Sequence, residues 1–127
     1  MKPLAFVLFW LASTSTWAGW SVIGSTGNAD VYVDSATIRQ QDTLVKMWTL
    51  LDFNNIQQVA EGAYLSQAGQ QEFDCDGDKY RTLSTSIYSG HMGGGQVVFS
   101  SDEPDAVWEP VAPGTVGEGF WKIACGK

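Results

Sequence analysis

Tyr64–Tyr88 reads YLSQAGQQEFDCDGDKYRTLSTSIY, an extended run, a tight acidic turn and a second extended run. On the entering side Phe73 and Cys75 share one face, with Glu72 and Asp74 on the other. Asp76, Gly77 and Asp78 carry turn chemistry, because glycine accepts positive φ and aspartate side chains bond nearby amides. From Lys79 the returning run places Arg81, Leu83, Thr85 and Ile87 on one side, opposite Tyr80, Thr82, Ser84, Ser86 and Tyr88. A β-hairpin is predicted. The returning strand has little apolar content, which places it at or near an edge. Cys75, beside the bend, is one of only two cysteines, and the other is Cys125.

The N-terminus bears on what those cysteines do. Lys2, an apolar run from Leu4 to Ala12, and small or polar residues ending in Thr16, Trp17 and Ala18 have the three-part layout of a secretory signal peptide. Residues 1–18 are read as that leader and residues 19–127 as one domain. The apolar run is far short of the roughly 20 residues that span a bilayer, so no membrane span is expected. No cysteine follows the cleavage position, so a lipoprotein anchor is not expected either. In an oxidising compartment a lone cysteine pair is expected to be a disulfide. Closing a loop of about 50 residues destabilises the unfolded chain by about 4 kcal/mol.

Upstream of the hairpin, Trp20–Ile23 is a short β-rich run that ends at Gly24–Gly27. Val31–Asp34 alternates as a half-buried strand does, and Ala36–Arg39 turns through Gln40, Gln41 and Asp42 into the longest run. There Val45, Met47, Thr49, Leu51 and Phe53 form one face, and Leu44, Lys46, Trp48, Leu50 and Asp52 a mixed second face that is partly covered. The polar segment from Asn54 to Gly62 reads as a loop. Downstream, Gly90–Gly95 is a mobile glycine-rich loop, Gln96–Phe99 a short strand and Ser100–Asp105 a surface turn. Trp108–Val111 is a strand that Pro110 confines to an edge. Thr115 and Glu118 match a capping box, Phe120–Ala124 continue a helix, and Gly126 stops it. The predicted class is α+β: an antiparallel sheet of about six strands with a C-terminal helix packed on one face and tied by Cys75–Cys125.

Composition excludes several functions. Fourteen acidic residues stand against seven basic ones without a basic cluster, which argues against nucleic acid and anionic membranes. Asp74, Asp76 and Asp78 alternate as in a calcium loop, but Lys79 and Thr85 hold the places of its glycine and final glutamate. The glycine loop has Gln96 and Val97 where a phosphate loop needs lysine and then serine or threonine. His91 is the only histidine, and no G-x-S-x-G occurs. No catalytic, cofactor-binding or metal-binding residue is assigned, and no cofactor is expected. Trp48 on the mixed face, with His91 and Met92 in the glycine loop, are the candidate binding residues. Trp20, Trp108 and Trp121 fill a small core more readily than they line a surface.

The order and spacing of these pieces resemble the surface-adhesin protein E-like family of Gram-negative bacteria. The resemblance is carried by Trp20; by Val31-Tyr32-Val33-Asp34 with Thr37-Ile38-Arg39; by Val45-Lys46-Met47-Trp48; and by Glu72-Phe73-Asp74-Cys75. It continues through Tyr88-Ser89-Gly90-His91-Met92-Gly93, Val97-Val98-Phe99, Trp108, Pro113-Gly114-Thr115 and Ala124-Cys125. It implies a small exported antiparallel domain whose C-terminal helix is tethered by the cysteine pair. For the family's namesake it also implies binding of host extracellular-matrix and serum proteins. The expected function is therefore a non-catalytic binding module with a protein partner, at the cell surface or in the periplasm. The alternative is a periplasmic structural or accessory protein of the envelope.

Overall fold

The computed structural model describes residues 19–127, so the expected leader at 1–18 lies outside the described residues. The central hairpin consists of β4 (Gly62–Asp74) and β5 (Lys79–Tyr88), joined by a turn over Cys75–Asp78. Asp74 Oδ1 holds that turn by accepting from the amides of Asp76 and Gly77, both at 3.0 Å. Before it come β1 (Trp20–Ser25), β2 (Ala29–Gln41) and β3 (Leu44–Val59). After it come β6 (Val97–Asp102), β7 (Glu109–Pro110) and helix α1 (Val116–Cys125). The sheet has seven strands and runs in chain order from β1 to β6, with every pair antiparallel. The outer edge of β5 is shared: β6 pairs with Ser84–Tyr88, and β7 with Lys79 and Tyr80.

Alternation along the strands gives the sheet one apolar face, and α1 packs there. Phe120 and Ala124 of the helix join Val31, Val33, Val45, Met47 and Phe73 in one buried cluster, with Met47 and Phe73 fully inaccessible. Thr115 Oγ1 caps the helix by accepting from the Glu118 amide at 3.2 Å. Glu118 reaches back to the amide of Gly114 rather than that of Thr115, at 2.9 Å. At the other end Gly126 takes φ 69°, and Lys127 N–H donates to the Lys122 carbonyl, a left-handed helix stop. Trp121 Nε1 donates to the Asp74 carbonyl at 3.1 Å, and a disulfide joins Cys75 to Cys125 across a Cα separation of 5.6 Å. The helix is thus fastened at the hairpin turn.

The structure corrects five local readings. The returning strand β5 does not keep one alternation along its length: a bulge where its pairing passes from Gln71 to Gln70 brings Ser84 to the side of Arg81, and Thr85 and Ile87 to the side of Tyr80. Asn54–Gly62 is not a loop: β3 continues to Val59 and pairs Gln57, Gln58 and Val59 with Tyr64, Ala63 and Gly62 beyond an irregularity at Asp52–Gln57. That segment has water on both faces, so it carries no apolar period to read. Gln40 and Gln41 belong to β2, which pairs them with Val45 and Leu44 across a bulge between Asp34 and Arg39. Thr37 occupies the bulge, and its hydroxyl accepts from the Trp48 amide at 3.0 Å. Ser100–Asp102 extend β6, where they pair with the outer edge of β5. The glycine loop, expected to be mobile, is hydrogen-bonded onto the second face of the sheet.

Candidate binding surface

Every second residue of β3 faces away from α1, and these residues organise the other side of the sheet: Lys46, Trp48, Leu50 and Asp52. Leu50 is only 1% exposed, although no helix covers it. Its cover is the glycine-rich loop, in which His91–Gly93 form one 3₁₀ turn. A Cβ added to Gly93 would lie 3.8 Å from Leu50 Cδ1. Two side chains hold the loop down. Ser66, fully buried on β4, donates its hydroxyl to the Gly90 carbonyl at 2.6 Å and accepts from the Gly93 amide at 2.8 Å. Asp52 Oδ1 accepts from the Met92 amide at 2.8 Å and contacts His91 Nδ1 at 3.1 Å. So held, Met92 takes φ 55° and ψ 38°, a left-handed conformation unusual for its side chain. Its neighbour His91 projects into solvent with 56% of its side chain exposed.

Burial, with the charges of Asp30 and Asp52 added to it, raises the Tyr32 phenol above its ordinary value. It therefore stays neutral beside Leu50, its partner in the register.

Farther along the same face Trp48 lines an open trough of about 470 Å³ with Gln70, Glu72, Arg81 and Ser84. A second, neighbouring trough shares Lys46, Gln70 and Glu72 and extends to Arg39 and Gln40. The register explains the arrangement, since Arg39 pairs with Lys46, Lys46 with Glu72, and Glu72 with Arg81. Glu72 is 7% exposed, and its Oε1 accepts from Arg81 Nε at 2.9 Å and pairs with Arg81 Nη2 at 2.8 Å. Arg81 also donates to the Ala106 carbonyl at 3.2 Å, and its guanidinium lies 4.5 Å from the Trp108 ring centre, with Lys79 Nζ at 5.3 Å from the same ring. One side chain thereby joins β4, β5 and the segment before β7. The Ser84 hydroxyl, on the wall of the trough, is buried without a hydrogen-bond partner.

The structure brings Trp48, His91 and Met92 to one face. Trp48 and Asp52, the loop's anchor, are four residues apart on β3, about 13 Å along the strand. Trp108 packs under Lys79 and Arg81, while Trp121 serves the helix on the opposite face. Sequence reasoning did not single out Asp52 and Ser66 as loop anchors. Their partners lie 24 to 40 residues away, and neither has a local motif. The faint signal is a serine and an aspartate in strands next to apolar residues, where a buried hydroxyl or carboxylate needs a partner. Among the described residues no group of three or more His, Cys, Asp or Glu could hold a metal ion, and no helix is long and apolar enough to cross a membrane.

The sequence profile of the family described as surface-adhesin protein E matches residues 20–126. The fold matches the structure of Haemophilus influenzae protein E with a TM-score of 0.63 at 16% identity, over 89% of this chain and 88% of that one. Its selenomethionine form matches with a TM-score of 0.64 at 16% identity, over 90% and 91%. Protein E from non-typeable Haemophilus influenzae gives 0.59 at 15% identity, over 89% and 79%. No curated protein sequence matches significantly.

Proposed function

The chain belongs to the surface-adhesin protein E family, and from that premise we propose that it is an exported, non-catalytic binding module whose partner is a protein of the host matrix or serum. The observation that carries this reading is the family match, which extends over residues 20–126 and so includes every strand and the helix of the described residues. The sheet face opposite α1 supports it. That face presents an indole, an exposed imidazole and a glycine loop already fixed in one conformation, so little ordering entropy is lost when a partner docks. Residues 1–18 supply the export signal in this proposal, and the oxidised cysteine pair suits the compartment beyond the inner membrane.

The test is saturable binding of the purified, oxidised protein to a panel of immobilised matrix and serum proteins, alongside Trp48→Ala and His91→Ala variants. Saturation by the parent and a loss of about tenfold or more in either variant is expected, as for removal of an interface anchor. Flat curves across the panel reject the adhesive reading. Cell fractionation is the second measurement. Protease-accessible protein on intact cells is expected, whereas confinement to the periplasm supports an accessory role inside the envelope.

A further inference from the structure

Of seven Lys and Arg, Lys2 lies outside the described residues, which leaves six, and four of these cluster at one end of the sheet face that carries Trp48. Arg39, Lys46 and Arg81 stand in one row across β2, β3 and β5, with Glu72 of β4 between the last two. Lys79 flanks Arg81 above the Trp108 ring. In a chain of net charge −7 this is an asymmetry of placement that composition conceals. Glu72 is neutralised by Arg81, and among the described residues Arg39 and Lys46, both exposed, have no carboxylate within ion-pair distance. Asp102 is the one further acid on the trough wall.

We propose that the two joined troughs form a binding site for an anionic glycan strand, the sulfated or uronic polysaccharide class. The inference rests on the binding-module reading and names a ligand for its surface. Charge complementarity comes from Arg39 and Lys46. Trp48 supplies a flat apolar platform for a sugar ring, and the Gln70 amide supplies hydrogen-bonding groups. Geometry separates this ligand from an acidic peptide. The path from Arg39 to Asp102 runs across the strands of β2 to β6, roughly 19 Å at the usual strand spacing. On that face the backbone groups are already paired within the sheet, so an extended peptide gains none of the main-chain bonds that strand addition provides. A ligand recognised there is held by side chains alone.

The experiment is calorimetric titration of the purified, oxidised protein with a heparin oligosaccharide at low and physiological salt. Neutral dextran and polyglutamate serve as comparison probes. Saturable heparin binding that weakens with salt is expected, with Lys46→Gln and Arg39→Gln each about tenfold weaker and Lys122→Gln, on α1, unchanged. Trp48→Phe, which preserves packing, is expected to weaken heparin binding without altering thermal unfolding. Three outcomes overturn the proposal: no heparin binding, equal binding of polyglutamate, or equal weakening by Lys122→Gln. If heparin fails while matrix proteins still bind, the glycan site alone falls, and if both fail the binding-module reading falls with it.

Discussion

At the scale of single residues, the surface opposite the helix depends on a few buried polar groups. Glu72 and Arg81 are asymmetric partners: the carboxylate is nearly inaccessible, whereas the guanidinium keeps the Ala106 carbonyl and the Trp108 ring when Glu72 is removed. Arg81→Ala leaves a buried charge unpaired and is expected to cost about 3–5 kcal/mol, with Glu72→Gln costing less, as measured by urea unfolding. Ser66→Ala orphans the Gly90 carbonyl and the Gly93 amide together. Its expected cost is about 1–3 kcal/mol. Faster hydrogen exchange in residues 90–95 is the accompanying sign, and unchanged protection there would show that the loop holds itself. Tyr80, like Tyr32, contributes to the alkaline limb. Burial, and then the charge of Glu109, raises its phenol above the ordinary value, so the folded state favours the neutral form. That contribution is complete below the unfolded pKa and is lost as pH rises through the folded one. Stability is expected to fall above about pH 10, and to fall less in Tyr80→Phe, by denaturant midpoints across that range.

Among the elements, the helix is locally weak and depends on its neighbours. Ten residues with two glycines do not persist alone in water. The two glycines differ in what surrounds them. A Cβ on Gly117 would lie 3.2 to 3.3 Å from the Tyr80 ring, which is itself stacked on Phe73, while one on Gly119 would meet only Ile23 Cδ1 at 3.9 Å. Gly119→Ala is therefore expected to stabilise the protein by about 0.5–1 kcal/mol, whereas the crowded ring offsets the same gain for Gly117→Ala. Thermal unfolding of the two variants measures the difference. Equal stabilisation would mean that the first turn of α1 is not tightly seated on Tyr80.

For the molecule as a whole, the crosslink and the sheet order decide how the chain closes. Cys75 and Cys125 are 50 residues apart, and their disulfide restricts the unfolded chain by about 4 kcal/mol. Replacing both by serine is expected to lower unfolding free energy by nearly that amount and to free Trp121 from the Asp74 carbonyl, a change visible in near-ultraviolet circular dichroism. What the sequence by itself determined was local and periodic: the hairpin around Asp74–Asp78, the apolar alternation from Val45 to Phe53, the cap at Thr115 and the stop at Gly126. Each of those signals lies within a few residues of the structure it specifies. The tertiary structure alone decided where long-range polar groups meet. Asp52 and Ser66 seat a loop far away in sequence, Glu72 is buried against Arg81, and Arg39 and Lys46 become neighbours through the bulge at Thr37. Strand register sets those meetings, and a one-residue slip would turn each side chain to the other face.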